Sequence, residues 1–327
     1  MAYSPAGNTT GSASLAHLAS VYYKKTGLDR LQKKFLFREA CMPDQVPKMV
    51  GRTVQWFRYS NLAASTTPTT EGTVGTSQSM TSKIVSATVS QYTSFITVSD
   101  LLADTSIDPI VTSASELLGY QGGLTVDTIT RTVIDNEYAG CTLSAQGTYM
   151  KVADLRNARS QLQAVDVEPM ADGNFLAIAH PFTTYDIVND PSAGGLADIR
   201  KYTNPAVLNT YEDRGTITTV AGCKLIESTN VLITAGSPNT YATYIIGKNA
   251  IGAVDLEGRG PTKVTDPSTQ RFQVKVIRGG NSIADPEGVI GAAVSYNFVY
   301  TVAVLEGPTG IGGAYRMRQF RVASSIG

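Results

Sequence analysis

The sequence predicts an α+β chain in which an extended β-hairpin and a long helix precede an α/β domain. Three observations carry this. Two runs rich in β-formers, Arg52–Tyr59 and Lys83–Val98, flank a stretch of small polar residues. Apolar residues then recur at helical spacing from Ile110 to Val133. After Gly140, helix-type and strand-type segments alternate.

Composition narrows the field first. The 327 residues carry 27 Lys+Arg against 27 Asp+Glu, and charged residues make up only 17%. A globular chain usually has roughly 25%; here 38 Thr and 26 Ser fill the gap. A hydrophobic fraction of 42% with zero net charge excludes disorder for most of the chain. The missing basic excess excludes a dedicated nucleic-acid binder. No apolar run reaches the roughly 18 residues of a membrane span, and Met1–Thr10 lacks a signal-peptide pattern. Cys41, Cys141 and Cys223 form no CxxC pair, which predicts reduced thiols made in a cytoplasm.

Taken in order, residues 13–40 read as a basic amphipathic helix, with Leu15, Leu18 and Tyr22 on one face. Pro43 and Pro47 break it. Between Tyr59 and Ser99 stand two charges only, Glu71 and Lys83, and Asn61–Thr81 is almost all Ser, Thr, Ala and Gly. A long polar tip between two strands is an arm that cannot bury itself. Asp108 and Pro109 cap the long helix, which runs to about Asn136. Its expected apolar stripe is Ile110, Val111, Ala114, Leu117, Leu118, Leu124, Ile129 and Val133. Gly122 and Gly123 predict a kink or a close backbone approach. Helices follow at Lys151–Val165 and Pro181–Asp190, and strands at Asn174–Ala179, Thr216–Glu227, Tyr241–Ile246, Arg271–Ile277 and Val289–Leu305. Residues 191–214 read as a long loop, and Tyr315–Val322 as a final extended segment.

The usual traces of chemistry are missing. There is no nucleophile elbow, HExxH, P-loop or dinucleotide fingerprint. His180, before Pro181, reads as a capping or packed histidine. Asp166, Glu168 and Asp172 lack EF-hand spacing and read as a solvated turn. No catalytic, metal or cofactor residue is assigned. Arg316, Arg318 and Arg321 suit protein–protein contact better than phosphate binding, because no stacking aromatics interleave them.

The order of blocks resembles the major capsid proteins of tailed bacteriophages with the Hong Kong 97-type fold, nearest to coats of N-four-type short-tailed phages. The resemblance rests on GRTVQWFR, TTPTTEG, VSQYTSFITVSDLLADTSIDP, ELLGYQGGLTVDTITRTVID, AIAHPFTTYDIVNDP and VAGCKLIES, in that order, over about Tyr22 to Leu305. It implies an N-terminal arm at 1–50 and an extended E-loop at 51–99. It implies a peripheral domain with a spine helix at 100–138 and 281–327, and an axial domain at 139–280. The implied function is a structural shell of pentamers and hexamers around double-stranded DNA, built in a host bacterium's cytoplasm. The implied partners are further copies of the chain, a portal, a separate scaffolding protein because the arm begins near Met1, and in some coats a cement protein. DNA would be contacted weakly, with no membrane involved. Candidate inter-subunit contacts are Arg52, Trp56, Arg58, Tyr59, Glu71, Lys83, Arg316, Arg318 and Arg321. Some such coats weld subunits through an E-loop lysine; Lys83, read here as lying at the base of its strand, favours a non-covalent coat. Two other readings stay open: an encapsulin-like nanocompartment shell, and a soluble α/β hydrolase or sugar-binding protein.

Overall fold

The computed structural model describes residues 36–106, 110–145, 147–192, 219–257, 259–260, 274–278, 292–307 and 315–326. The expected helix over 13–40 lies outside these residues except for its end, where Phe37–Ala40 is a 3₁₀ turn. Pro43 does not break a helix but sits inside strand β1, Met42–Val46. Among the described residues β1 pairs only with Ile251–Leu256, so it is an edge strand, where proline costs no ladder hydrogen bond.

The hairpin is shorter than its sequence suggests. Strand β2, Thr53–Tyr59, pairs with β3, Ser82–Thr88, as a two-stranded ribbon. The Lys83–Val98 run is two elements, because Val89 ends the ribbon by donating its N–H to the Arg52 carbonyl at 2.9 Å. Beyond it, β4, Ser90–Val98, enters a sheet. Ser99 then accepts from Leu102 N–H and caps the short helix α1, Asp100–Thr105.

Helix α2 runs unbroken over Ile110–Asn136, through Gly122–Gly123. The proposed cap at Asp108–Pro109 lies outside the described residues. Its buried row overlaps the predicted stripe at Ala114 and Leu118, and Val111, Ile129 and Val133 pack partly buried against the same core. Ala114, Leu118, Gly122, Val126, Thr130 and Ile134 are buried at a strict spacing of four, while Leu117 is 46% exposed and Leu124 only half-buried. A row at this spacing is one of the ridges by which helices pack. Small residues in it allow the backbone to approach its neighbour.

The α/β part follows expectation closely. It holds α3 (Tyr138–Cys141), α4 (Val152–Gln163), β5 (Phe175–Ala179) and α5 (Pro181–Val188). The long loop over 191–214 lies almost wholly outside the described residues. Strands β6 (Thr219–Val220) and β7 (Cys223–Glu227) pair across a two-residue turn, Ala221–Gly222. Both turn residues have positive φ, 52° and 78°, as a primed hairpin turn requires. Strands β8 (Ile233–Thr234), β9 (Thr240–Ile246), β10 (Ile251–Leu256), β11 (Val274–Arg278), β12 (Ala292–Val304) and β13 (Met317–Ala323) complete the chain.

Two sheets result. In the first, β12 pairs with β4 along 292–300. Its opposite edge is shared, with β11 along 292–296 and β10 along 300–304. The second has the order β13-β9-β5-β7-β6, with β8 also on β9. Strand β13 closes the second sheet, hydrogen-bonded to β9 with Met317 opposite Ile246. One face of the second sheet, with Phe175, Ala177 and Ile245, packs on Leu155 and Leu162 of α4. Its other face, with Ile178, Tyr244 and Ile246, joins Leu118 and Ile134 of α2 and Val294, Phe298 and Tyr300 of β12 in the main core. The long helix is thus part of the seam between the two sheets.

Candidate functional site

The ribbon, with its loop, carries a long run of exposed residues. Period-two alternation gives it two faces. On the inner face, Trp56 stands opposite Val85 and Val54 opposite Ala87. Val54 and Trp56 pack on a cluster of Val46, Val89, Val254 and Val299. The Trp56 indole N–H donates to Asp44 Oδ2 at 3.0 Å. Gly252 makes room for the ring, since a Cβ there would lie 2.9 Å from it. The outer face is open and carries an apolar patch, Phe57, Tyr59 and Ile84, beside polar Thr53, Gln55, Ser82, Ser86 and Thr88. Phe57 is 65% exposed and stands opposite Ile84, also exposed. Phe57 meets Tyr59 edge to face at 5.9 Å. Residues 61–81 are all exposed, Leu62, Val74 and Met80 included. They form no strand, and Glu71 stands in a turn at their middle.

The nine candidate contact residues therefore divide. Arg52, Tyr59, Glu71 and Lys83 are exposed on the ribbon and its loop, and Trp56 is anchored to the body. Lys83 is not at the base of the ribbon. It stands at the outer end, opposite Arg58, next to where the loop begins. Arg58 donates to Glu306 Oε1, and Arg316 reaches the same oxygen at 2.6 Å. Arg318 donates to the Tyr315 and Met317 carbonyls, each at 3.0 Å. The Arg321 guanidinium lies 3.7 Å from the centre of the Tyr138 ring and also faces Asp135. These arginines have partners inside the chain.

The minor candidates resolve simply. His180 Nδ1 accepts from Phe182 N–H at 3.2 Å and the ring stacks on Tyr241, so it caps α5. Burial lowers its pKa and keeps it neutral. Glu168 and Asp172 pair with different exposed lysines, Lys248 and Lys224.

Sequence reasoning missed a polar line on α2. Asp127, Arg131 and Asp135 recur every four residues along the helix. Asp127 Oδ1 accepts from the Leu36 and Phe37 N–H groups, both at 2.9 Å, and Oδ2 from Asn230 at 2.7 Å. Asp135 Oδ1 accepts from the Tyr244 hydroxyl at 2.8 Å and from Gln319 at 2.9 Å. These carboxylates tie the helix to the 3₁₀ turn and to the second sheet. Burial pushes both carboxyls above the usual carboxylate range, against the hydrogen bonds and nearby arginines that pull them down. The i, i+4, i+8 spacing of three charges, on a helix whose one other charged residue is Glu116, was the available signal.

No protein-family model and no curated protein matches the sequence. Solved structures do match. The head of Helicobacter pylori bacteriophage KHP40 is 8% identical, with a TM-score of 0.68 over 97% of this chain and 99% of that one. The cyanophage Pam1 capsid is 12% identical, with a TM-score of 0.67 over 98% and 99%. The capsid of Ralstonia phage GP4 is 12% identical, with a TM-score of 0.64 over 98% and 99%. The chain has the fold of these phage capsid proteins, the Hong Kong 97-type fold.

Proposed function

We propose that this chain is the major capsid protein of a tailed phage, assembling as pentamers and hexamers into an icosahedral shell around double-stranded DNA. The observation that carries the reading is the near-complete mutual coverage with phage capsid chains, 97–98% of this chain and 99% of each of those. The physics is of the same kind. A ribbon with an exposed apolar patch on its outer face and a loop of 21 exposed residues at 61–81 is useful when a further copy of the chain covers it. Zero net charge limits repulsion between many identical copies and limits the grip on packaged DNA.

On this reading residues 1–50 are the N-terminal arm, 51–99 the E-loop, α2 the spine helix of the peripheral domain, and the second sheet the axial domain, with β13 returning to it. The role is structural rather than catalytic. Partners are further copies, a scaffolding protein and a portal, with a cement protein as an optional addition. Assembly takes place in the host bacterial cytoplasm, and the protein ends in the virion. The test is coexpression with the phage's scaffolding protein, followed by negative-stain microscopy and light scattering. Closed particles are expected; a chain that stays monomeric under those conditions overturns the reading.

A further inference from the structure

We propose that Glu306 is a releasable latch for the outer half of the β2–β3 ribbon, and that Arg316 is what makes release possible. The ribbon's two halves are held differently. The inner half is packed through Val54, Trp56, Val85 and Ala87, with Trp56 tied to Asp44. The outer half faces inward with Arg58 and Lys83, two cations directly opposite each other in register. Like charges in that position repel. Arg58 is held by Glu306, 248 residues further along the chain and just beyond the end of β12.

The carboxylate has two partners on one oxygen. Arg316 Nη2 lies 2.6 Å from Oε1, and Arg316 Nη1 also donates to the Lys248 carbonyl at 3.3 Å, which fixes it to the body. The Glu306 side chain is 11% exposed, whereas that of Arg58 is 44% exposed. A buried carboxylate stripped of its sole partner is strongly destabilised. Here the departure of Arg58 leaves Glu306 neutralised by Arg316, while Arg58 returns to water at little cost. Backbone geometry keeps Glu306 in place throughout. Gly307 has φ +148°, a conformation other residues avoid, with the Tyr315 ring packed against it. The Tyr315 hydroxyl in turn donates to Glu137 at 2.6 Å, just past the end of α2. The outer ribbon thus has a closed pose on the Arg58–Glu306 pair and an open one, pivoting beyond Trp56.

The test is amide hydrogen exchange on the full, unassembled chain. In Arg58→Gln the peptides covering Phe57–Tyr59 and Ser82–Ile84 exchange about tenfold faster, the thermal midpoint stays put, and Val54–Trp56 keeps its protection. High salt gives the wild type the same pattern. Arg316→Gln slows exchange in the outer ribbon, because Arg58 is then the sole counter-charge. The double variant loses more thermal stability than the two single variants together. Unchanged exchange in Arg58→Gln, or strict additivity in the double variant, overturns the latch. Particle formation plays no part in these readouts, so their failure leaves the capsid reading standing on its own test.

Discussion

Asp127 ties together parts of the chain that are far apart in sequence. It receives two backbone N–H groups from the 3₁₀ turn and one amide from Asn230, so three distant segments meet on it. Its folded pKa is raised mainly by burial. The linkage sign follows. The folded chain holds a proton that the unfolded chain has released, so this contribution to stability is full below the ordinary carboxylate value, about 3.9. It is lost as pH climbs through the raised folded value. Asp135 acts in the same sense. Asp127→Asn keeps one acceptor but presents an amide to Asn230, and should cost about 1–3 kcal/mol. It should also flatten the fall in stability on the alkaline side of pH 4. Thermal midpoints of both proteins across the acid range measure this; parallel pH profiles would show that Asp127 does not titrate in that window.

At the scale of elements, the sequence made the long helix, the α4–β5–α5 succession and the arm legible, because periodicity and composition are local signals. Three things were hidden for physical reasons. Both halves of Lys83–Val98 alternate alike, so nothing local marks Val89 as the point where the partner changes from β2 to β12. The place of β13 depends on pairing Met317 with Ile246, a contact without a local signature. Leu117 and Leu118 are equivalent to a helical-period count, yet only the ridge at spacing four separates them. That yields a paired test. Leu118→Asp places a charge where the wild-type residue is 1% exposed, and should give insoluble chain. Leu117→Asp, half in water, should stay soluble with a loss of about 1 kcal/mol. Soluble fraction and thermal midpoint decide it. The loop gives the converse. Replacing residues 61–81 by a short Gly-Ser turn removes almost no buried apolar area, so the midpoint should hold while particle assembly fails. A midpoint falling as far as in Leu118→Asp would mean the loop belongs to the core.

For the whole molecule, the capsid reading proposed above raises the question of whether copies are joined by contact alone. A lysine–asparagine isopeptide bond forms when a neutral amine attacks the amide and ammonia leaves, with a nearby carboxylate taking the amine's proton. Lys83 is the only lysine between Tyr59 and Ser99, and the structure sets it at the outer end of the ribbon rather than at the base. That position makes it better placed to meet a neighbour than the sequence suggested. The reaction also needs that carboxylate. Glu306, which holds Arg58 opposite Lys83, already faces two arginines. Glu71 lies in the exposed loop, where no apolar pocket surrounds it. Neither is set up to accept the proton, so the joint between copies is expected to be non-covalent. Mature particles boiled in detergent should run as one band near 34.7 kDa. A ladder of dimers to hexamers that vanishes in Lys83→Arg would show instead that a neighbouring copy supplies the carboxylate, and that the shell completes its own reaction site on assembly.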